Sequence, residues 1–283
     1  QLTALDIAGF ALRNVGIDAS VADGALRLAT TESTLLDDGS LVANIAVDLT
    51  DLDRLPAKIA LQWNGGKLDG GTTQWLRYAM PLFAGLDADV ADVVGTVGLE
   101  LSLDGPAMMR EGQEWVTWLD DWQGKGTLGL TDTAFAPATE LGGLLAPLGP
   151  LGKSAAPVAK DGRLEIASFT APFSFAKGTV ESQRSEWQTS GKSIGLSGTT
   201  TLAGALDYTI DLTPLLRGER DGEKVLKALG GSLPATRLKG SLEAPSLELP
   251  ELGDIASKLL QNEGKNLLEK GLNELFGGKQ RRD

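Results

Sequence analysis

Residues 191–195 read Gly-Lys-Ser-Ile-Gly and match the G-x-S-x-G pattern of a nucleophile elbow, in which a serine attacks an acyl carbon. That elbow needs a sharp strand-to-helix turn and a histidine that accepts the serine proton. The chain contains no histidine, and the residues around Ser193 are patterned as one strand following another. We therefore predict that no residue has a catalytic role and that the protein is not an enzyme.

Two Gly-Lys-Ser triplets, beginning at Gly152 and Gly191, resemble part of a phosphate-binding loop. That loop requires another glycine five residues earlier, where this chain has Pro147 and Glu186. Neither triplet is therefore predicted to bind a nucleotide, and we expect no cofactor.

Two groups of aspartates could offer oxygen ligands to calcium: Asp48, Asp51 and Asp53, and Asp87, Asp89 and Asp92. Neither group has the EF-hand order with its glycine at the sixth position, so we interpret them as solvated loop carboxylates. The chain has no cysteine or histidine, which excludes disulfides and thiolate or imidazole metal ligands. We predict no metal site.

The composition excludes some partners. The net charge of -12, with both signs interspersed, removes the electrostatic basis for binding nucleic acid and disfavours anionic membrane surfaces. The 36 glycines among 283 residues are close to twice the usual share and predict many turns.

Alternating apolar residues predict that most of the chain forms strands. In residues 205–212, Leu206, Tyr208, Ile210 and Leu212 alternate with polar residues. Further strands are predicted at residues 11–15, 17–21, 25–28, 40–49, 57–63, 95–103, 126–131, 163–169, 172–178, 179–187, 235–243 and 246–249, and around Ser193. Turns with positive φ are predicted at Asp23-Gly24, Asp38-Gly39 and Asn64-Gly-Gly66.

The predicted fold is mainly β: a long, curved antiparallel sheet or open half-barrel groove, with a few amphipathic helices and a C-terminal helix. It forms one elongated unit, with sub-units at residues 1–135 and 158–250 on either side of a Leu/Gly/Pro-rich loop at 136–157. A sheet with one apolar face must cover it with a helix, a second sheet or acyl chains, and few helices are predicted here. Our candidates for the groove lining are Ile194, Leu196, Leu206, Tyr208 and Ile210.

Three predicted helices lie within the chain, at residues 73–83, where Pro81 would bend or end the helix, at 115–122 and at 221–229. In the second, Trp115, Trp118 and Trp122 fall on one face. They either pack that helix on the sheet or form an aromatic lid.

A fourth, amphipathic helix is predicted at 251–276, before a tail at 277–283. It either caps the sheet or lies on a membrane, although five acids against three lysines disfavour the latter.

Residues 163–249 resemble the C-terminal region of the AsmA-like family of bacterial envelope proteins. The matching features are the runs 169–178, 194–198, 205–212 and 233–245, followed by a Leu/Lys/Glu-rich helix. The order of Pro234, Gly240, Pro245 and Glu251 reproduces the family's closing unit of proline, strand, glycine, short strand, proline and helix.

The resemblance implies a periplasmic fragment of an inner-membrane-anchored protein whose β groove conducts phospholipids or related lipids in support of outer-membrane assembly or lipid homeostasis. The chain begins at Gln1 without methionine, so we expect a piece of a longer protein that contacts the membrane mainly through parts outside this sequence. Expected partners are lipid acyl chains and envelope proteins. The alternative is a non-catalytic scaffolding β domain that binds protein partners.

Overall fold

The computed structural model describes residues 2–7, 10–31, 34–68, 70–84, 92–136, 164–189, 192–218 and 220–248. These residues form one antiparallel sheet of fifteen strands that does not close into a barrel. The mainly β class predicted from the sequence is thereby confirmed. The predicted loop at 136–157 lies almost wholly outside the described residues, and the predicted C-terminal helix lies entirely outside them.

The strands fall into two groups along the chain. The first nine are β1 (Leu2–Ile7), β2 (Phe10–Val15), β3 (Ile17–Ala22), β4 (Ala25–Thr30), β5 (Leu35–Leu36), β6 (Gly39–Asp48), β7 (Pro56–Lys67), β8 (Asp92–Pro106) and β9 (Gln123–Ala136). The last six are β10 (Leu164–Ala176), β11 (Thr179–Thr189), β12 (Lys192–Thr201), β13 (Ala205–Asp211), β14 (Thr236–Ser241) and β15 (Pro245–Glu248). From β6 to β15 every strand pairs with the next along the chain. The pairing of β9 with β10 joins the two predicted sub-units in one sheet.

Tight turns explain this meander. Asp23 and Gly24 have φ values of 51° and 73°, and Lys177 and Gly178 have 50° and 64°. Two consecutive residues with positive φ are what a type I′ hairpin requires. Asn64-Gly-Gly66 was wrongly predicted as a turn. It lies inside β7, where the pairing with β8 shifts between Trp63 and Gly66 to form a bulge.

Within the described ranges, four helices and one 3-10 turn accompany the sheet: α1 (Gly70–Leu76), the 3-10 turn Pro81–Phe83, α2 (Trp115–Asp120), α3 (Thr213–Leu216) and α4 (Arg220–Ala228). The predicted helix at 73–83 is therefore two pieces, consistent with the break expected at Pro81. The predicted helix at 115–122 ends at Asp120, before Trp122. No described helix is long and apolar enough to cross a membrane.

The two ends of the sheet differ. Turns 23–24, 49–55 and 177–178 lie at one end of the sheet, which we call the turn end. The cross-strand pairing places the strand ends next to these turns side by side: Ala25, Asp48, Pro56, Pro106 and Ala176. Helices α1, α3 and α4 connect strands at the opposite end, which we call the helix end. Helix α2 is at the turn end.

Residues 163–169 and 172–178 were predicted as two extended segments, and this was wrong, since both belong to the single strand β10. Pro172 stands inside that strand although it has no N–H to donate. It is tolerated because the pairing of β10 with β11 shifts between Thr170 and Phe173. Such bulges bend and twist a strand locally.

Candidate functional site: the apolar face of the sheet

The five predicted lining residues come together on one face of the sheet. Leu196 of β12 pairs with Ile210 of β13, while Leu206 and Tyr208 follow on the same face of β13 and Ile194 on that of β12. All five have at most 5% of their surface exposed. They are therefore part of the core, and a ligand would reach them only if covering elements moved.

The same face continues across the sheet from β4 to β14, and we call it the apolar face. Residues that pair across neighbouring strands, such as Ile45, Ile59 and Leu103, lie on this face. Its buried members on the central strands are Trp63, Val97, Leu128, Leu130, Phe169, Ala171 and Trp187. Among the described residues of this face the one charged side chain is Lys192, which alternates with Ile194 and Leu196 along β12 at the helix end. The opposite face presents several charged side chains, such as Lys58, Glu100 and Lys125.

The apolar face is not covered evenly. Near the helix end, Met80 and Phe83 are buried in the same apolar cluster as the strands. Toward the turn end, part of the face is only half-buried. The half-buried members are Leu26, Leu28, Ile45, Val47, Ile59, Leu61, Leu99, Leu101, Leu103, Phe173 and Phe175. An apolar surface of this extent is a ready contact for hydrocarbon.

Helix α3 is held against the sheet by a lysine. Lys192 Nζ donates hydrogen bonds of 2.8 Å to the backbone carbonyls of Leu215 and Arg217. Leu215 and Leu216 are fully buried. A cation near the carboxyl end of a helix also interacts favourably with the helix dipole. Lys192 therefore holds α3 in place over the core.

The three predicted tryptophans divide between burial and exposure. Trp122 is buried beside Gly105, where any side chain would collide with the indole ring. Trp118 meets the Trp122 ring edge to face at 5.4 Å and donates from Nε1 to the Pro106 carbonyl at 3.0 Å. Trp115 is 58% exposed. Trp122 thus covers the turn end of the apolar face, while the lid role of all three stays a prediction.

A bulge in β11 brings polar groups onto the apolar face. Ser182 and Ser185 are three residues apart, yet both are buried, because β11 carries one extra residue relative to β12 between them. Trp187 follows on the same face. Sequence reasoning missed these residues. The signal was that Val180 and Trp187 are both apolar but lie an odd number of residues apart, which strict alternation cannot place on one face.

Hydrogen bonding on this face is incomplete. The hydroxyls of Thr200 and Tyr208 share a hydrogen bond of 3.0 Å. By contrast, Ser185 Oγ and Trp187 Nε1 are buried and have no hydrogen-bond partner among the described residues. Ser182 Oγ lies near the Tyr208 phenol but makes no hydrogen bond of good geometry.

Burial dominates the electrostatics of Tyr208. It raises the pKa of the phenol above the usual value because the charged form would lose its hydration. The hydroxyls of Thr200 and Ser182 partly oppose this effect. Tyr208 is therefore a neutral polar group within the core.

Several of the candidate chemical motifs lie in strands and turns of the described chain, whereas Asp87, Asp89 and the Gly152 triplet lie outside the described residues. Ser193 lies in β12 and pairs with Gln188 of β11, so strand follows strand there. Asp48 Oδ1 accepts hydrogen bonds from both the amide and the hydroxyl of Thr50, which lower its pKa. Asp51 Oδ1 accepts one from the amide of Arg54. Among the described residues, no three Asp, Glu, His or Cys side chains are grouped to hold a metal ion.

Comparison with known proteins gives no relative from which to transfer a function: no protein-family model, curated protein or solved structure matches this chain.

Proposed function

We propose that the protein binds lipid acyl chains along the apolar face of its sheet and transfers them between membranes. The observation that carries this proposal is an apolar face that runs across the sheet from β4 to β14 and that, toward the turn end, stays half-buried with no charged side chain among its described residues. Enclosing hydrocarbon contributes about 0.8 kcal/mol per buried CH₂ before the cost of ordering the ligand.

The distribution of polar groups supports this over a site for a charged ligand. A phosphate or carboxylate on the half-buried part of the apolar face would have no cation among the described residues of that part, at a large desolvation cost. Lys192 lies at the helix end of the face, where its Nζ already bonds the carbonyls of Leu215 and Arg217. An acyl chain meets no such penalty. The resemblance of residues 163–249 to the AsmA-like family favours the bacterial periplasm as the location and phospholipid or a related lipid as the cargo.

The test compares two substitutions at adjacent residues of β8. Leu101→Asp puts a carboxylate on the half-buried apolar face beside Leu61, whereas Ser102→Asp puts one on the opposite, exposed face. Uptake of a pyrene-labelled phosphatidylcholine is measured by fluorescence, with unfolding curves to confirm that both variants fold. We expect L101D to lose at least about tenfold in affinity, because a leucine contact is worth about 1.5–3 kcal/mol, and S102D to bind like the wild type. Equal binding by both variants would contradict the proposal.

The scaffolding alternative has one observation in its favour. Among the described strands, β3 pairs with β4 alone, and all six of its residues are exposed, including Ile17 and Val21. An exposed edge strand can accept a strand from a partner protein. Failure of the wild type to take up any lipid, together with a stable complex formed through β3, would favour this alternative.

A further inference from the structure

The bulge in β11 creates a polar position inside an otherwise apolar face. Without the extra residue, Ser182 and Ser185 would point to opposite sides of the sheet. With it, Ser182, Ser185 and Trp187 all lie on the apolar face. Bulges are enriched next to functional sites, where they redirect side chains.

The buried polar atoms Ser182 Oγ, Ser185 Oγ and Trp187 Nε1 make no hydrogen bond among the described residues, and of these Ser182 Oγ lies near the Tyr208 phenol. Ser185 is 0% exposed and Trp187 is 2% exposed, and neither Ser185 Oγ nor Trp187 Nε1 finds a partner among the described residues. Buried polar groups are nearly always hydrogen-bonded, so two unpaired atoms separated by one residue on a strand need an explanation. Both can donate a hydrogen bond, and the indole can only donate.

We propose that Ser185 and Trp187, assisted by Ser182, form a polar station that donates hydrogen bonds to the ester carbonyls of a bound acyl lipid. This inference rests on the proposed lipid function. A carbonyl fits because it is a neutral acceptor, whereas a buried phosphate or carboxylate would need a cation. The charged described residue of the apolar face, Lys192, is engaged with the carbonyls of Leu215 and Arg217.

The position of the station agrees with this role. Ser182 pairs with Phe173 of β10, which belongs to the half-buried part of the face, while Trp187 pairs with the buried Phe169. Ser182 therefore lies at the border between the half-buried and the enclosed hydrocarbon surface, and Ser185 and Trp187 lie inside that border, where a lipid reaches them once the covering elements move. A lipid whose chains lie on the apolar face would place its polar linkage at such a border.

The test uses two lipids that differ only at the linkage. Diacyl phosphatidylcholine and its dialkyl ether counterpart, with the same chain length, each displace a pyrene-labelled phosphatidylcholine from the full chain. A zwitterionic head group avoids repulsion from the net charge of -12. We expect the wild type to prefer the ester lipid by about fivefold for each hydrogen bond formed, from about 1 kcal/mol per bond. The ether oxygen is a weaker and differently placed acceptor.

Ser185→Ala and Trp187→Phe remove one donor each and are expected to reduce the ester preference, and the double variant to abolish it. Ser197→Ala, on the opposite face of β12, is the matched control and should keep the preference. If the wild type binds both lipids equally, the station is refuted while lipid binding stands. If the wild type binds neither lipid, the proposed function fails, and the station fails with it.

Discussion

Replacing Ser185 by alanine is expected to stabilise the protein, whereas most substitutions in a core destabilise it. Ser185 is fully buried, and its Oγ has no hydrogen-bond partner among the described residues. An unsatisfied buried hydroxyl costs about 1–3 kcal/mol. Alanine keeps the Cβ and removes the oxygen, so it recovers most of that cost and loses only the weak dispersion contacts of one atom. The expected net gain is about 1 kcal/mol.

Urea unfolding followed by tryptophan fluorescence measures this gain. The midpoint should rise without a change in slope, and Tm should increase by about 2–4 °C for a protein of this size. Ser197→Ala on the opposite face is the control and should change stability by no more than about 0.5 kcal/mol. A loss of about 1 kcal/mol or more in S185A would show that its hydroxyl is already hydrogen-bonded, and would refute the reasoning.

Other substitutions test the same interior and its cover. Tyr208→Phe leaves the Thr200 hydroxyl buried without its 3.0 Å partner and should cost about 1–3 kcal/mol in urea unfolding; an unchanged midpoint would contradict the bond. Because burial raises the pKa of Tyr208 in the folded state, its contribution is fully present below pH ~10 and is lost as pH rises further. Y208F should therefore lose less stability than the wild type between neutral pH and pH ~11, and equal losses would argue against the shift. Lys192→Met removes two 2.8 Å hydrogen bonds to carbonyls at the end of α3 and should cost about 1.5–3 kcal/mol. Lys239→Met, which breaks a partly exposed ion pair of 2.9 Å, is the comparison and should cost about 0–1 kcal/mol.

The strands that sequence predicted best are those in which alternation is strict. Along Ala205–Asp211, exposed and buried residues alternate without exception, so Leu206, Tyr208 and Ile210 could be assigned to one face. The same logic located β6 and β8 within a few residues, and the strand predicted around Ser193 is β12. Strands β1 and β5 were not predicted individually, and β5 is only two residues long, too short for a periodicity to be detected.

Alternation fails wherever a strand gains a residue. Residues 163–169 and 172–178 were predicted as separate segments, and the shift in pairing with β11 beside Pro172 explains how β10 continues through that proline. In β11, strict alternation would separate Ser182 from Ser185. Local sequence does not reveal which residue will be skipped, because that depends on pairing with β10 and β12 at once. The odd spacing of Val180 and Trp187 indicates that β11 contains a bulge, but it does not show that Ser182 and Ser185 both face the interior.

The parts of the apolar face that other elements cover were equally hard to predict. The residues of the predicted lining are buried, while Leu61 and Leu101, which the sequence does not distinguish from them, are half-buried. Exposure along one apolar face depends on where the connecting helices lie. The sequence predicted a helix close to α4 but did not predict α3, whose four residues are too few to show a helical period.

Native mass spectrometry of the protein, purified gently from a bacterial host, tests the central claim most directly. We predict a population that carries one or more lipid molecules, released as phospholipid or a related acyl lipid on activation, and a smaller lipid-bound fraction in L101D than in S102D. A protein that is lipid-free under these conditions and also fails to take up the pyrene-labelled phosphatidylcholine would contradict the assignment of the apolar face as a lipid-binding surface.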